Sequence, residues 1–364
     1  MKKRISRRDL LLTLGCAGAG AVLLFCSPWV GEGIRRGLAV CASVMIPSLF
    51  PFLILSDFVA STRVGRLLER PLGGIARWVY RCPAELAPAI LMSWIGGYPA
   101  GARVLAGMVE RGELSSKDAG AALTFCVNSG PAFLVAVVGA GVFRSPGWGC
   151  FLFGCQLAAG VITGRLLCRR PLRVGRGRAG SCLSPAAGFV RAVTSATSGM
   201  LSICAFVLVF SALCQVLEAA GLLALWGEWL SGVTGGLLTP QGAVCLCSGF
   251  LEIGGGCALA QSLPPGQGAL VLPFLLSFSS LSVICQLAAC FGDHPVDGGL
   301  LVRARLLHGL LTALLAVPVI EARFAAVPAM LTGRPVLAPA GGGLLGALCL
   351  MVMCAMLARA VSGE

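Results

Sequence analysis

Two stretches of this chain are too apolar for water and too rich in helix breakers for ordinary membrane helices, and they correspond to each other. Residues 93–101 read SWIGGYPAG and residues 248–256 read SGFLEIGGG, a separation of 155 positions. Each precedes a long apolar segment with a polar interruption, NSGPAF at 128–133 and FSSLSV at 278–283, here 150 positions apart. A continuous helix satisfies its own backbone, whereas a broken one frees amides and carbonyls at membrane depth. Such groups are tolerated only where they are buried in protein or line a wet cavity. Gly/Pro-interrupted segments at matching places in two halves point to a solute-binding site between repeats.

Composition agrees with a membrane setting. Hydrophobic residues are 57% of the chain, charged residues 12%, and the mean hydropathy is +0.89. Roughly 20 apolar residues cross a bilayer as helix, and uncharged runs at 10–31, 37–56, 119–143, 145–164, 192–217, 229–251, 253–292 and 335–358 meet or approach that length. The 364 residues make one membrane domain with no room for a large soluble one. A net charge of +13 would suggest nucleic acid in a soluble protein. Here the basic residues sit at helix ends and in short loops, as the positive-inside bias requires, so no nucleic-acid partner is expected.

The 18 cysteines form no CxxC pair, and only His294 and His308 are available beside them. No metal site and no cofactor are expected, and the cysteines read as small apolar packing residues. SRRDLL at 6–11 has the look of a twin-arginine export signal. Without a small-residue cleavage site, a retained first helix anchored by Lys2, Lys3, Arg4, Arg7 and Arg8 is the expectation.

Charge then orders the spans. A helix at 10–28 exits, and one at 37–58 returns to a loop with Arg63, Arg66, Arg70, Arg77 and Arg81. If 86–109 crossed fully, the loop at 165–191, with seven arginines and no acid, would lie outside. A re-entrant hairpin at 86–109 followed by crossings at 118–143 and 149–167 keeps it inside. The second half mirrors this from the other face: a helix at 192–217, a hairpin at 240–263, and helices at 267–291, 302–320 and 338–358. The fold class expected is an all-α polytopic membrane protein, about eight transmembrane helices plus two re-entrant hairpins in inverted repeats. Its divisions are 1–36 (basic tail and first helix), 37–168 (first repeat), 169–191 (Arg-rich linker), 192–322 (second repeat) and 323–364 (last helix and tail). Pro47 and Pro51 should kink the second helix.

The motifs SVMIPSLFPFLILSDF, GGYPAGARV, FCVNSGPAF and GFLEIGGG with SLSVICQ, spread over roughly 40–320, closely resemble the sporulation integral membrane protein family of endospore-forming bacteria. That family carries the nucleoside-recognition Gate domain found also in nucleoside and ferrous-iron transporters. The resemblance implies movement of dipicolinic acid across the outer forespore membrane, with nucleosides the alternative solute. The chain departs from the family's pattern in the second half. GFLEIGGG lacks a Thr or Asn after the Glu-Ile pair, and SFSSLSVICQ has a Ser in place of the usual Gly and Cys285 where a His often stands.

Candidate substrate-binding residues follow from the physics of the breaks. Glu252 is the only acid in the run 229–292. Buried carboxylates are costly in a membrane, so it is a candidate for carrying a proton, holding a cation or substrate, or capping local amides. Arg103 closes the first hairpin and either meets a substrate carboxylate or snorkels. The tip residues Gly96, Gly97, Pro99 and Gly101 present helix N-terminal amides to an anion. Asn128, Ser129, Ser279, Ser280, Ser282 and Gln286 offer neutral hydrogen bonds, unless the serines merely pack helices. Asp57 reads as a helix-end or interface residue rather than a ligand, and Asp293, His294 and Asp297 as a solvated loop. GxxxxGK[ST], HExxH and GxSxG are all absent, which argues against an enzyme. The expected partners are a small anionic solute and the lipid bilayer. A homo-oligomer and a non-transporting scaffold stay open.

Overall fold

A computed structural model describes residues 7–175 and 183–325. After an N-terminal helix, Arg7–Phe25, the described residues form two runs of elements in the same order. The first comprises a long helix Ser27–Ser61, a short amphipathic helix Val64–Ile75, a hairpin (Ala87–Ile95 and Tyr98–Glu110), a broken span (Ser116–Ala122 and Phe133–Val142) and a helix Pro146–Leu167. The second comprises Pro185–Ala219, Leu222–Val233, a hairpin (Pro240–Leu251 and Ile253–Ala260), a broken span (Pro265–Phe278 and Leu281–Ala289) and Gly298–Ala325.

Among the described residues five helices are long and apolar enough to cross a membrane: Ser27–Ser61, Pro146–Leu167, Pro185–Ala219, Gly266–Ala289 and Gly298–Arg323. They coincide with five of the eight expected spans. The sixth, at 118–143, is interrupted over 123–130, and the stretch near 10–28 is the helix Arg7–Phe25. The span expected at 338–358 lies outside the described residues. The helix Leu222–Val233 was not expected from the sequence, and it occupies in the second run the place of Val64–Ile75 in the first.

Local chemistry explains the boundaries. Proline stands in the first turn of several of these helices, where its missing N–H costs nothing. Ser184 and Thr239 cap Pro185–Ala219 and Pro240–Leu251 by accepting from Ala187 N and Gly242 N at 3.4 and 3.1 Å. The helix Ser27–Ser61 tolerates Pro47 and Pro51 through a π-helical turn at Cys41–Met45 just before them, a register change that relieves the clash of proline with the preceding turn. The first hairpin turns at Gly96 and Gly97. Gly97 has φ +81° and ψ −172°, a conformation open essentially to glycine alone.

The two hairpins meet Ser27–Ser61 from opposite ends. The first runs along it from Ala60, beside Gly107, to a tip against Leu49 and Phe52. The second brings Gly254 at its tip to Val40, while its first arm packs on Gly227 and Cys214. Charge is segregated as well. Arg165 donates to the carbonyls of Val79 and Trp78, and Leu114 bridges Val174, so the arginine-rich loops gather at one end of the bundle.

Candidate functional site

The first hairpin, both breaks and the last described helix converge on a sealed polar junction. Tyr98, opening the second arm of the first hairpin, donates its hydroxyl to Leu276 O at 2.5 Å, one turn before the second break. Ser129 of the first break donates to the Tyr98 hydroxyl and lies 3.2 Å from the same carbonyl. Its peptide, left without helical partners by the break, is held by a side chain: Gln156 accepts from Ser129 N and donates to Ser129 O, each at 3.2 Å. Asn128 donates to Ser93 Oγ and Phe125 O.

Behind the first break lies Arg305, fully buried. It donates to Val127 O (2.7 Å), Leu123 O (3.2 Å) and Thr124 O (3.0 Å), and to His308 Nδ1 at 3.0 Å. His308 Nε2 in turn meets Gln156 O at 2.8 Å. Among the described residues no carboxylate pairs with Arg305.

The second break is built differently. Ser279 and Ser280 have φ of +84° and +81°, and Ser280, with ψ 158°, occupies a region normally reserved for glycine. Ser280 Oγ accepts from Val283 N at a long 3.4 Å, a weak return for the strain. Ser280→Gly should therefore raise stability by about 1 kcal/mol, read as thermal melting in detergent. A loss instead would mean that the cap outweighs the strain.

Glu252 forms the second tip. Its two oxygens accept from Gly254 N (2.9 Å) and Gly255 N (2.5 Å), so the carboxylate caps its own hairpin. Among the described residues no cation pairs with it.

Three further candidates, Pro99, Arg103 and Gln286, line a cavity of about 1270 Å³. Asp57, Pro99, Arg103, Ser195 and Gln286 are among its deep residues, and Arg66, Glu69, Glu85, Arg111, Glu113 and Arg191 line it toward the arginine-rich end. Arg103 is already engaged. Nε and Nη2 reach the two oxygens of Asp57 at 3.0 and 2.6 Å, and Nη2 also bonds Ser195 O and Oγ at 3.0 and 2.7 Å. A Cβ on Gly199, one turn beyond Ser195, would overlap the guanidinium, so this glycine makes the room for it. Asp57 thus takes the interface role, as the partner of Arg103 across the packing of the long helix on the first hairpin. At the mouth, burial together with Glu85 and Glu113 pushes Glu69 above the usual carboxylate range, with Arg66 acting against them.

The expected site residues therefore fall into three groups. Asn128, Ser129, Ser279 and Ser280 belong to the sealed breaks. Pro99, Arg103 and Gln286 line the cavity, with Ser282 hydrogen-bonded to Gln286 at 3.2 Å. Glu252 stands apart at the second tip, while Gly96, Gly97 and Gly101 shape the first, Gly101 lying inside its second arm. Tyr98, Gln156, Arg305 and His308 join the site without having been expected there. A polar side chain inside an apolar run was the only signal for Gln156.

No family model matches the chain. It is 26% identical over 324 residues to the sporulation integral membrane protein YlbJ of Bacillus subtilis (strain 168), which covers 78% of this chain and 75% of that protein. Among solved structures, CNTnw in an inward-facing substrate-bound state superposes with a TM-score of 0.47 at 15% identity, covering 90% of this chain and 86% of that one. A doubly substituted CNTnw in an outward-facing state gives 0.46 at 15%, covering 88% and 85%. This chain is an integral membrane protein, nearly all helical among the described residues, and similar along most of its length to a sporulation integral membrane protein.

Proposed function

We propose that the protein is a carrier for a small carboxylate-bearing solute, by kinship dipicolinic acid moved during sporulation across the outer forespore membrane. The observation that supports this reading is the cavity that runs from the arginine-rich end to Arg103 and Gln286, along the second arm of the first hairpin and beside the second broken helix. The arginine-rich end is cytoplasmic by the positive-inside rule, so the cavity is open to the cytoplasm. The two hairpins are re-entrant and enter from opposite faces, the repeats are inverted, and the arms of 8–13 residues are too short to span a core of about 30 Å. Arg103, aided by the Ser195 hydroxyl, is the carboxylate receptor once a solute displaces Asp57.

A nucleoside is the second reading. The charges lining the cavity nearly balance, with Asp57, Glu69, Glu85, Glu110 and Glu113 against Arg66, Arg103, Arg111 and Arg191. Its Gln286, Ser195, Ser198 and Ser202 are suited to a neutral solute. Uptake of labelled dipicolinate into vesicles containing only this protein tests the choice. Saturable uptake that unlabelled dipicolinate competes and uridine does not is the expected result. Competition by uridine alone favours the nucleoside, and no uptake of either favours a scaffold.

A further inference from the structure

We propose that the first helix break is a cation site whose cation is built into the chain, the guanidinium of Arg305 standing where a diffusible monovalent cation would otherwise bind. The inference rests on the carrier reading for its significance, though not for its geometry. Broken membrane helices release carbonyls that nothing in the helix can satisfy, and in carriers built of repeats such carbonyls and half-helix ends coordinate the coupling cation. Here the break releases the carbonyls of Leu123, Thr124 and Val127. That of Val127 has no helical partner even in principle, because the residue four places on is Pro131, which lacks an N–H.

All three carbonyls converge on Arg305, at 2.7–3.2 Å. The side chain is fully buried, and among the described residues no carboxylate neutralises it. An isolated buried cation is expensive unless dipoles replace its hydration shell. The ring of carbonyls does so at the two terminal nitrogens, with His308 Nδ1 as a fourth acceptor at 3.0 Å, while the buried Nε has no partner. Cation and carbonyls thus account for each other, and the charge arrives on the helix Gly298–Ala325 rather than from solution. Such a carrier draws no driving force from sodium at this break.

The test is thermal melting of the purified full-length protein, followed by tryptophan fluorescence, in sodium chloride against choline chloride at equal ionic strength. Wild type should melt at the same temperature in both. Arg305→Ala should melt several degrees lower in choline and regain the loss saturably with sodium or with added guanidinium. Arg305→Lys, which keeps a tethered cation, should remain indifferent to sodium. Saturable stabilisation of wild type by sodium overturns the proposal, and so does Arg305→Ala that neither cation rescues. Should Arg305→Ala fail to fold in either salt, Arg305→Gln keeps most of the side-chain volume and carries the same two arms. Melting does not depend on transport. A protein that shows this pattern yet moves no solute therefore sinks the carrier reading alone, whereas uptake that collapses on replacing sodium in wild type sinks the built-in cation alone.

Discussion

Arg103→Ala is expected to lower stability by about 2–4 kcal/mol and to abolish uptake, whereas Asp57→Ala added to it should restore part of the stability and none of the uptake. The pair is bidentate, and the two side chains are only 14% and 12% exposed. Removing one member of a buried pair strands the other, which is costly. The cost is kept from the upper end of the usual range because the cavity gives Asp57 a path to water. A double-mutant cycle should return a coupling of about 1–3 kcal/mol. The pair joins Arg103 on the first hairpin to Asp57 and Ser195 on the long helices Ser27–Ser61 and Pro185–Ala219, so it also latches the hairpin to its surroundings. Asp57→Asn separates the latch from the receptor. If Arg103 receives a carboxylate, freeing it should tighten dipicolinate binding about tenfold for each 1.4 kcal/mol of competition removed, even as melting falls. Weaker dipicolinate binding in Asp57→Asn would leave Arg103 as a latch only.

The breaks were legible in the sequence because their signal is local. Glycine, proline and serine clustered inside an apolar run interrupt a helix wherever it lies in the fold. The hairpins expected at 86–109 and 240–263 correspond to Ala87–Glu110 and Pro240–Ala260 in the structure. The partners were not legible. Asp57 lies 46 positions from Arg103, and nothing near either residue announces the other. Arg303 and Arg305 look alike at the start of an apolar run, yet Arg303 is exposed and bonds Gly299 O of its own helix, while Arg305 is fully buried under the first break. Only the packing of Gly298–Ala325 against the broken span tells them apart. Tyr98 was similarly hidden, because its carbonyl partner Leu276 is 178 positions away. Local backbone chemistry is written in short windows, whereas the neutralisation of a buried charge depends on elements that meet only in the fold.

Glu252→Gln should abolish or uncouple uptake while lowering stability by only about 1 kcal/mol, the cost of one lost cap. Both carboxylate oxygens are engaged, by Gly254 N and Gly255 N, and the three consecutive glycines at 254–256 have no side chains to fix the tip. Glutamine keeps one acceptor and turns an NH₂ group toward the other backbone N–H, so the substitution is not silent even if Glu252 only caps. The size of the stability loss therefore cannot decide the role, and the comparison with transport does. Glu252→Asp keeps the charge on a shorter arm, and Glu252→Ala removes both acceptors and should cost about 2 kcal/mol. A residue that only caps would give uptake that follows stability across Asp, Gln and Ala. A residue that carries a proton or touches the solute would give a Gln variant that melts near wild type and fails to transport. Wild-type uptake by Glu252→Gln at every pH tested would leave the carboxylate as the clasp of its own hairpin and nothing more.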